Sequence, residues 1–308
     1  MRVIAILNPA AGNGRAGKKR VAVEAALRAA GLAGEVWATE APGHAVTLAR
    51  QAALEAEAVL ALGGDGTIHE VSRGLIESRR PVPLGVIPLG TGNDFVKMTG
   101  MARDLEAAVR QIATATPALI DYGRVRWQEE GRTCEQPFVN AVGVGFDARV
   151  AAEADAFKAW PGLTGYLAAV VRALRGWEAP HTRISGAATP DGPAAVCYDG
   201  KLLLVTVGNG VSSGGTFYLT PRASITDGLL DVCMVAALSS RRLLRLLPRA
   251  LRGRHEHEPE VHTARLHTLH ITADAGLPIH ADGEVLTHHA QAIDIEVVPG
   301  GLSVLMPE

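Results

Sequence analysis

The sequence GGDGT at residues 63–67 has the composition of a phosphate-binding turn. It follows the apolar run 58–62, which predicts a buried strand, and the residues after it begin a predicted helix. Glycines let backbone N–H groups approach an anion closely, and the positive end of a helix stabilises the same charge. A plain strand-to-helix turn would need a single glycine. The candidate site residues are Gly63, Gly64, Asp65, Gly66 and Thr67, with the Asp65 carboxylate available to a metal ion or a phosphate.

Two further loops carry similar residues at the ends of predicted strands. The first predicted strand leads into Asn8-Pro9-Ala10-Ala11-Gly12-Asn13-Gly14-Arg15, and a helix begins near Gly17. Residues 18–20 at its start are basic, and because such cations oppose the helix dipole, a bound anion would account for them. A strand at 84–88 leads into the loop 89–95. Ligands bind at the carboxyl ends of strands in open parallel sheets, so these loops are predicted to form a ligand site.

A dinucleotide-binding pattern, GxGxxG, is also present at Gly12, Gly14 and Gly17. In that fingerprint the first glycine ends the strand directly, whereas residues including Pro9 intervene here. The next predicted strand, 34–39, also lacks an acidic residue at its end. Dinucleotide binding is therefore the weaker alternative.

The order of elements predicts two domains in the 308 residues. Up to residue 122, strands alternate with helices at 45–56, 68–77 and 105–113, which predicts an α/β domain with a parallel sheet. From 123 to 299, strands follow one another closely, which predicts a mainly antiparallel β-sandwich. These strands are expected at 123–128, 136–144, 182–186, 202–208, 229–236, 268–273 and 293–298.

Charge and cysteine content narrow the function classes. A net charge of −2 argues against a nucleic-acid-binding protein, which is usually strongly basic. The three cysteines are widely spaced without a CxxC pair, which is typical of a reducing cytoplasm. The sequence contains no run of 18 apolar residues, so no membrane span is predicted. The apolar stretch at its start is too short for a signal peptide. The histidines between 255 and 270 are expected to be solvated surface residues and not metal ligands.

Several motifs together resemble the diacylglycerol kinase catalytic family, which includes bacterial lipid kinases, sphingosine kinases and ceramide kinases. In chain order they are NPAAG at 8–12, Thr39 followed by Gly43-His44-Ala45, GGDGT with Glu70, and PLGTGNDF at 88–95. The resemblance continues through 120–123, 207–210, 227–231 and 282–284, and so spans almost the whole chain. GGDGT alone is shared with NAD kinases and resembles phosphofructokinase loops.

The resemblance implies an ATP- and Mg²⁺-dependent kinase that phosphorylates the hydroxyl of diacylglycerol or a related lipid. It implies an N-terminal domain like those of NAD kinase and phosphofructokinase, to which a final strand near 300–308 is expected to return. Nucleotide contacts implied by the resemblance are Asn8, Ala10, Gly12, Thr39, Gly64, Asp65, Gly66, Thr67, Glu70 and Thr91, with Asn93 and Asp94 nearby.

The motif Asp282-Gly283-Glu284 implies the catalytic acids. By resemblance Glu284 accepts the proton of the lipid hydroxyl, and Asp282 is the main competitor for that role. The residues 277–281 before it are largely apolar, a setting that raises the pKa of a carboxylate and makes it a better base. The alternative is an Asp-Gly hairpin turn with solvated acids.

The resemblance also implies a second, structural Mg²⁺ in the β domain. Its ligands would be the Asp227 carboxylate and the carbonyl groups of Ser224 and Leu229, with Asp121 interacting through water. An Asp-Gly turn without a metal is the alternative for this loop.

Two segments are candidates for contact with a lipid. Residues 238–254 combine arginines with leucines, as basic amphipathic helices on anionic membranes do, although Pro248 interrupts the pattern. Residues 162–177 form a candidate acyl-contact or lid helix. For both segments ordinary packing on the β domain is the favoured interpretation. A lipid acceptor would be reached from the membrane surface, so peripheral membrane contact is expected, and a homodimer stays open.

Two alternative functions stay open beside the lipid kinase: a soluble-substrate kinase of the NAD kinase type, and a non-catalytic nucleotide- or lipid-binding protein. The first should lack the 282–284 motif, and the second should have lost Asp65 or Glu284, yet all are present.

Overall fold

The computed structural model describes residues 1–157, 160 and 163–307. The chain divides into two compact units, the first made of Met1–Tyr122 together with the chain from Pro299 onward, and the second of Gly123–Val298. It is a mixed α/β protein with a β-rich C-terminal part, as the sequence predicts.

The first unit contains most of the helices and short strands. In chain order these are β1 (Arg2–Leu7), α1 (Arg20–Ala29), β2 (Ala33–Ala38), α2 (His44–Ala52), β3 (Ala58–Gly63), α3 (Asp65–Ser78), β4 (Leu84–Pro88), α4 (Asp94–Thr99) and α5 (Leu105–Thr114). The strand β5 (Thr116–Glu129) begins in this unit.

The second unit is built mainly of longer strands. Its elements are β6 (Arg132–Phe138), β7 (Ala141–Gly145), α6 (Phe146–Ala154), α7 (Leu163–Ala173), β8 (His181–Ala187), β9 (Ala195–Gly208), β10 (Leu230–Ala236), α8 (Ser240–Ala250), β11 (Val261–Leu266) and β12 (Thr268–Ala281). The last strand, β13 (Glu284–Met306), begins here and ends in the first unit.

In the first unit, β1 pairs in parallel with β2 and β3, β3 with β4, and β4 with the end of β13 at Leu84 and Val304. The strands β3 and β4 are buried along their whole length, as expected for continuous apolar runs covered on both faces. Because the strands run in one direction, the loops after β1, β3 and β4 leave the same edge of the sheet.

The helix predicted at 68–77 begins earlier, at Asp65, so the last three residues of GGDGT form its first turn. It packs closely on α2, because Gly74 lies so near that a Cβ there would be 2.4 Å from the Val46 carbonyl oxygen. The motif itself therefore provides the N-terminus of α3.

In the second unit the strands pair antiparallel in the order β11-β10-β9-β7-β12-β13, and β8 pairs with β9 and β12. The strand β11 was not predicted from the sequence. The single strand predicted at 136–144 is also wrong, because the chain breaks into β6 and β7 after Phe138.

The helices α6, α7 and α8 cover a second apolar core of this unit, which includes Phe146, Val170, Leu203 and Leu246. The Ser239 hydroxyl accepts the Arg242 N–H and caps α8, which continues through Pro248 to Ala250. The predicted helix 162–177 appears as α7, and its first predicted residue lies outside the described residues. Among the helices described, none is long and apolar enough to cross a membrane.

Candidate active site

The three polar loops of the first unit contact one another. The Asn8 side chain donates to the Thr67 hydroxyl at 3.1 Å, and its backbone N–H donates to the Leu62 carbonyl at 3.0 Å. Gly12 has a φ of +60°, and a Cβ there would lie 2.8 Å from the Leu89 carbonyl oxygen. The loops after β1, β3 and β4 therefore form one surface.

The closest approach within this surface is between two glycines. A Cβ on Gly90 would lie 2.4 Å from the Gly64 Cα, a separation that atoms of this kind do not adopt. A Cβ on Gly63 would similarly lie 2.3 Å from the Thr67 hydroxyl oxygen. Because both loops lack side chains at this point, their backbones can lie directly against each other, as glycine-rich phosphate-binding loops do.

Asp65 connects two of the loops. Its carboxylate accepts the Phe95 N–H at 3.3 Å, at the start of α4. Burial raises the pKa of Asp65, the negative charge of Asp94 raises it further, and backbone hydrogen bonds from residues 93–95 partly oppose this. Asp94 is itself buried and forms an ion pair with Lys97 at 2.7 Å. Two acids thus lie near each other where a cation would relieve their repulsion.

Asn93 supplies a buried oxygen at the same place. The residue has a left-handed φ of 53°, and its side-chain N–H donates to the Gly90 carbonyl at 3.2 Å. The side-chain oxygen is buried and has no hydrogen-bond partner among the residues that the structure describes. Buried polar atoms are normally satisfied, so this oxygen indicates a missing partner. The glycine cradle and these oxygens fit a nucleotide phosphate accompanied by Mg²⁺.

The remaining predicted nucleotide contacts take different positions. Thr39 follows β2, where its N–H donates to the Leu7 carbonyl at 2.9 Å. The Glu70 carboxylate accepts the Ala45 N–H at 3.1 Å at the start of α2, so in this structure it caps that helix. Thr91 is exposed on the loop after β4, and Pro9, Ala10 and Ala11 form the tight turn after β1.

In the second unit, Asp282 and Gly283 form the two-residue hairpin between β12 and β13. Their φ angles of +49° and +88° are the positive pair that a type I′ turn requires. The Asp282 carboxylate accepts three backbone N–H groups, from Val139, Asn140 and Ala141, each at 2.9 Å. Asp282 is therefore not the solvated acid of a simple hairpin, because it anchors the break between β6 and β7.

Glu284 is the exposed acid of the turn. It accepts a hydrogen bond from Gln136 at 3.4 Å, at the start of β13. The apolar setting expected around the acids is found before them, where Ile279 and Ala281 are fully buried, but it does not extend to Glu284. Of the two acids, Glu284 is the more exposed and Asp282 the more tightly held.

Several residues at this turn were missed by the sequence reasoning. Asn140 donates to the Ser212 carbonyl at 2.8 Å, and Asn209 donates to the Val139 carbonyl at 2.9 Å. Asp147 and His280 lie buried beneath the turn. Two signals were present in the sequence: Asn209 belongs to the motif at 207–210, and Asp147 is an acid two residues after the buried strand β7. Neither signal shows which residue is the partner.

In the loop predicted to hold a structural Mg²⁺, the polar side chains already contact protein groups. The Asp227 carboxylate accepts the Leu229 N–H at 3.1 Å and forms an ion pair with Arg265, and the Ser224 hydroxyl contacts that of Thr226. Asp121 belongs to the first unit, where it accepts the Gly300 N–H at 2.8 Å. No cluster of three or more metal-ligating side chains occurs among the described residues, so the ion stays a prediction resting on carbonyl ligands.

Only part of the histidine prediction agrees with the structure. His262 and His270 are exposed, but the expectation of a solvated His255 is wrong. His255 is buried, because the chain after α8 folds back so that its Nε2 lies 3.2 Å from the Leu219 carbonyl oxygen.

An apolar cavity lies beneath α7 and α8 in the second unit. It has a volume of about 40 Å³, and its lining includes Phe146, Val170, Leu203 and Leu246, together with the polar groups of Asp147 and His255. Tyr166 also faces it, and burial raises the pKa of its hydroxyl. On the outer side of α7, Leu167, Val171 and Trp160 are exposed.

Comparison with known proteins gives consistent matches along the chain. Residues 2–125 match the family model described as the diacylglycerol kinase catalytic domain, and residues 140–306 match the YegS C-terminal NAD kinase beta sandwich-like domain. A diacylglycerol kinase of Mycobacterium tuberculosis strain H37Rv is 31% identical over 99% of this chain and 95% of its own length.

A Pseudomonas aeruginosa PAO1 protein named probable lipid kinase YegS-like is 32% identical, covering 95% of this chain and 91% of its own. The crystal structure of a diacylglycerol kinase from Bacillus anthracis strain Sterne superposes with a TM-score of 0.70 at 21% identity, covering 99% of this chain and 96% of that one. A further solved chain from that strain reaches a TM-score of 0.76 at 25% identity, covering 99% and 97%.

Proposed function

Because the chain belongs to the diacylglycerol kinase catalytic family and is a lipid kinase, we propose that it transfers the γ-phosphate of ATP to the hydroxyl of diacylglycerol or a related lipid. The observation that carries this proposal is the division of roles at the acidic turn. Asp282 is held by three backbone N–H groups, while Glu284, two residues later, is exposed at the end of the hairpin.

In the proposed reaction, the oxygen of the lipid hydroxyl attacks the γ-phosphorus while Glu284 accepts the hydroxyl proton. The bond from the γ-phosphorus to the β,γ-bridging oxygen breaks, and ADP leaves. Phosphoryl transfer depends mainly on positioning and on neutralising charge, and the glycine backbones at Gly64 and Gly90 would admit the phosphates. When bound, Mg²⁺ neutralises phosphate oxygens; Asp65 and the side-chain oxygen of Asn93 are the groups that would hold it.

The apolar cavity supports a lipid as the acceptor. Its polar end is Asp147, which contacts His280, and His280 in turn contacts Gly283 beside Glu284. An acyl chain is far larger than the present cavity, so the cavity must widen before an acyl chain can enter. The exposed apolar residues on the outer side of α7 favour contact with a membrane surface.

We place peripheral membrane contact at α8 as well. Arg242 and Arg249 form ion pairs with Glu258, whereas Arg241 and Arg245 are exposed and pair with no carboxylate in the described part of the chain. Free cations of this kind attract anionic headgroups. Arg241→Glu/Arg245→Glu should therefore abolish sedimentation with anionic vesicles, whereas Arg103→Glu/Arg110→Glu, an equal charge change on the first unit, should not. Equal sedimentation of both double variants would contradict this placement.

The kinase proposal is tested with γ-labelled ATP, Mg²⁺ and mixed micelles that each contain one hydroxyl lipid. We expect label in one lipid class, and we expect Glu284→Gln to lower turnover by about 10²- to 10⁴-fold while ATP binding is kept. Asp65→Asn should lower turnover and weaken ATP binding. Glu178→Gln, the same change at another exposed glutamate of the second unit, is the control and should retain turnover. Transfer that is unchanged in Glu284→Gln, or no transfer to any lipid, would refute the proposal.

A further inference from the structure

Two buried side chains, the acid Asp147 and the base His280, lie directly beneath the acidic turn, Asp282-Gly283-Glu284. Asp147 is 8% exposed in the first turn of α6, and His280 is 2% exposed near the end of β12. An ionised carboxylate this deeply buried is costly unless it is paired and hydrogen bonded. Both partners are present, since the Thr206 hydroxyl donates to Asp147 at 3.0 Å and His280 Nε2 lies 3.4 Å from the same oxygen.

The other nitrogen of His280 faces the turn. Gly283 N–H donates to His280 Nδ1 at 3.3 Å, so Nδ1 carries a lone pair and the ring proton is on Nε2, toward Asp147. Burial alone would raise the pKa of Asp147, but the hydrogen bonds from His280 and Thr206 oppose this, and the net direction of the pKa is downward. An ionised Asp147 therefore fixes the tautomer in which His280 can accept from Gly283.

The Asp147 and His280 side chains fit side by side because the residue opposite them is a glycine. Gly143 of β7 lies opposite His280 in the antiparallel register, and a Cβ at Gly143 would be 2.2 Å from His280 Nε2 and 2.4 Å from the Asp147 carboxylate. Any other residue at position 143 would displace one of the two side chains.

We infer that Asp147 and His280 are positioning residues for Glu284, an inference that rests on the proposed function. Asp282 anchors the turn on one side, through residues 139–141. The next residue, Gly283, has no side chain and a φ of +88°, so only the pairing of Ala281 with Glu284 across the hairpin and the contact of its own N–H restrict it. His280 holds that N–H, and with it the direction in which the chain leads into Glu284.

Two substitutions of His280 separate positioning from mere stability. The amide of His280→Asn overlaps Nδ1 and can still accept the Gly283 N–H, but it does not reach Asp147. The amide of His280→Gln overlaps Nε2 and can still donate to Asp147, but it leaves Gly283 unbound. A purely structural role predicts that Gln is the milder change, because it keeps the buried charge paired. A positioning role predicts that Asn is milder for catalysis.

We expect His280→Gln to lower kcat for lipid phosphorylation by about 100-fold, with the KM for ATP unchanged, because small misplacements of catalytic groups cost this much. His280→Asn should keep kcat within about tenfold of wild type, yet have the lower Tm of the two. Amide exchange at Gly283 should be fast in His280→Gln and slow in His280→Asn. Asp147→Asn should lower kcat, because a neutral partner no longer fixes the tautomer of His280.

If kcat instead follows Tm, with His280→Gln the more active variant, the pair is only structural and the inference is wrong. Wild-type kcat in His280→Gln while Gly283 exchanges freely would overturn it as well. These results require an active wild type that loses activity in Glu284→Gln, which distinguishes them from failure of the proposed function.

Discussion

The loops after β1, β3 and β4 and the turn at Asp282-Gly283-Glu284 hold their polar groups in opposite ways. In the first unit, the backbones of Gly64 and Gly90 lie directly against each other. The N–H groups at the starts of α4 and α2 each donate to a single carboxylate, that of Asp65 and that of Glu70. In the second unit, the turn depends on side chains that come from separate strands and helices, with the half-buried Asp282 and the buried His280 at its centre.

This difference determines how each region should respond to change. Main-chain groups offer the same chemistry at every residue, so the loops are sensitive to added volume and insensitive to the identity of polar neighbours. Buried side-chain networks respond to the loss of a single atom, because the partner left behind is desolvated and unpaired. Substitutions that add a methyl group to the loops, or change one atom in the turn, therefore test the comparison directly.

The largest effect is expected at Gly90. In Gly90→Ala the new Cβ would lie 2.4 Å from the Gly64 backbone, so the two loops must separate, and we expect ATP affinity to fall by about 100-fold. In Gly66→Ala the new Cβ meets nothing within 4 Å, so the loss should be much smaller. Isothermal titration with ATP and Mg²⁺ measures both. Equal losses would show that close approach of the two backbones is not what the loops require.

A smaller effect, on stability, distinguishes the two acids of the turn. Asp282→Asn replaces a carboxylate that accepts three N–H groups, so the free energy of unfolding of the second unit should fall by about 3 kcal/mol. Glu284→Gln changes an exposed side chain and should alter stability by less than about 0.5 kcal/mol.

Amide hydrogen exchange measures this difference locally. The amides of Val139, Asn140 and Ala141 should lose protection in Asp282→Asn and keep it in Glu284→Gln. Unchanged protection in Asp282→Asn would mean that the three hydrogen bonds do not hold the break between β6 and β7.

The same contrast explains what the sequence could predict. The loop after β3 was predictable because GGDGT is contiguous, and its glycines and helix start lie within five residues. Family membership and lipid kinase activity followed from motifs of this kind and were confirmed by the comparisons. The break at Val139 was not predictable, because residues 136–144 are a plausible single strand until Asp282, distant in sequence, takes their N–H groups.

The roles of Asp147, His280 and Asn209 were equally out of reach. Each is one polar residue in an apolar stretch, and only the register of β7, β9 and β12 shows which of them meet. His255 was placed at the surface because its neighbours are charged, while its own side chain is buried at the cavity. Local composition describes a segment and does not show which of its residues turns inward.

The smallest expected effect concerns pH. Burial lowers the pKa of His255 below its ordinary value of 6.5. Above that value the residue is neutral in both states. As pH falls below about 6.5, the unfolded chain binds a proton that the folded one does not, so the free energy of unfolding decreases, by at most about 1.4 kcal/mol per pH unit.

His255→Gln keeps a donor for the Leu219 carbonyl and removes this titration. Denaturant unfolding at pH 7 and pH 5.5 should therefore show a smaller loss of stability in the variant than in wild type, with the difference confined to the second unit. If both proteins lose the same stability, His255 takes up its proton in the folded state, and the pH response of the second unit arises from other buried side chains.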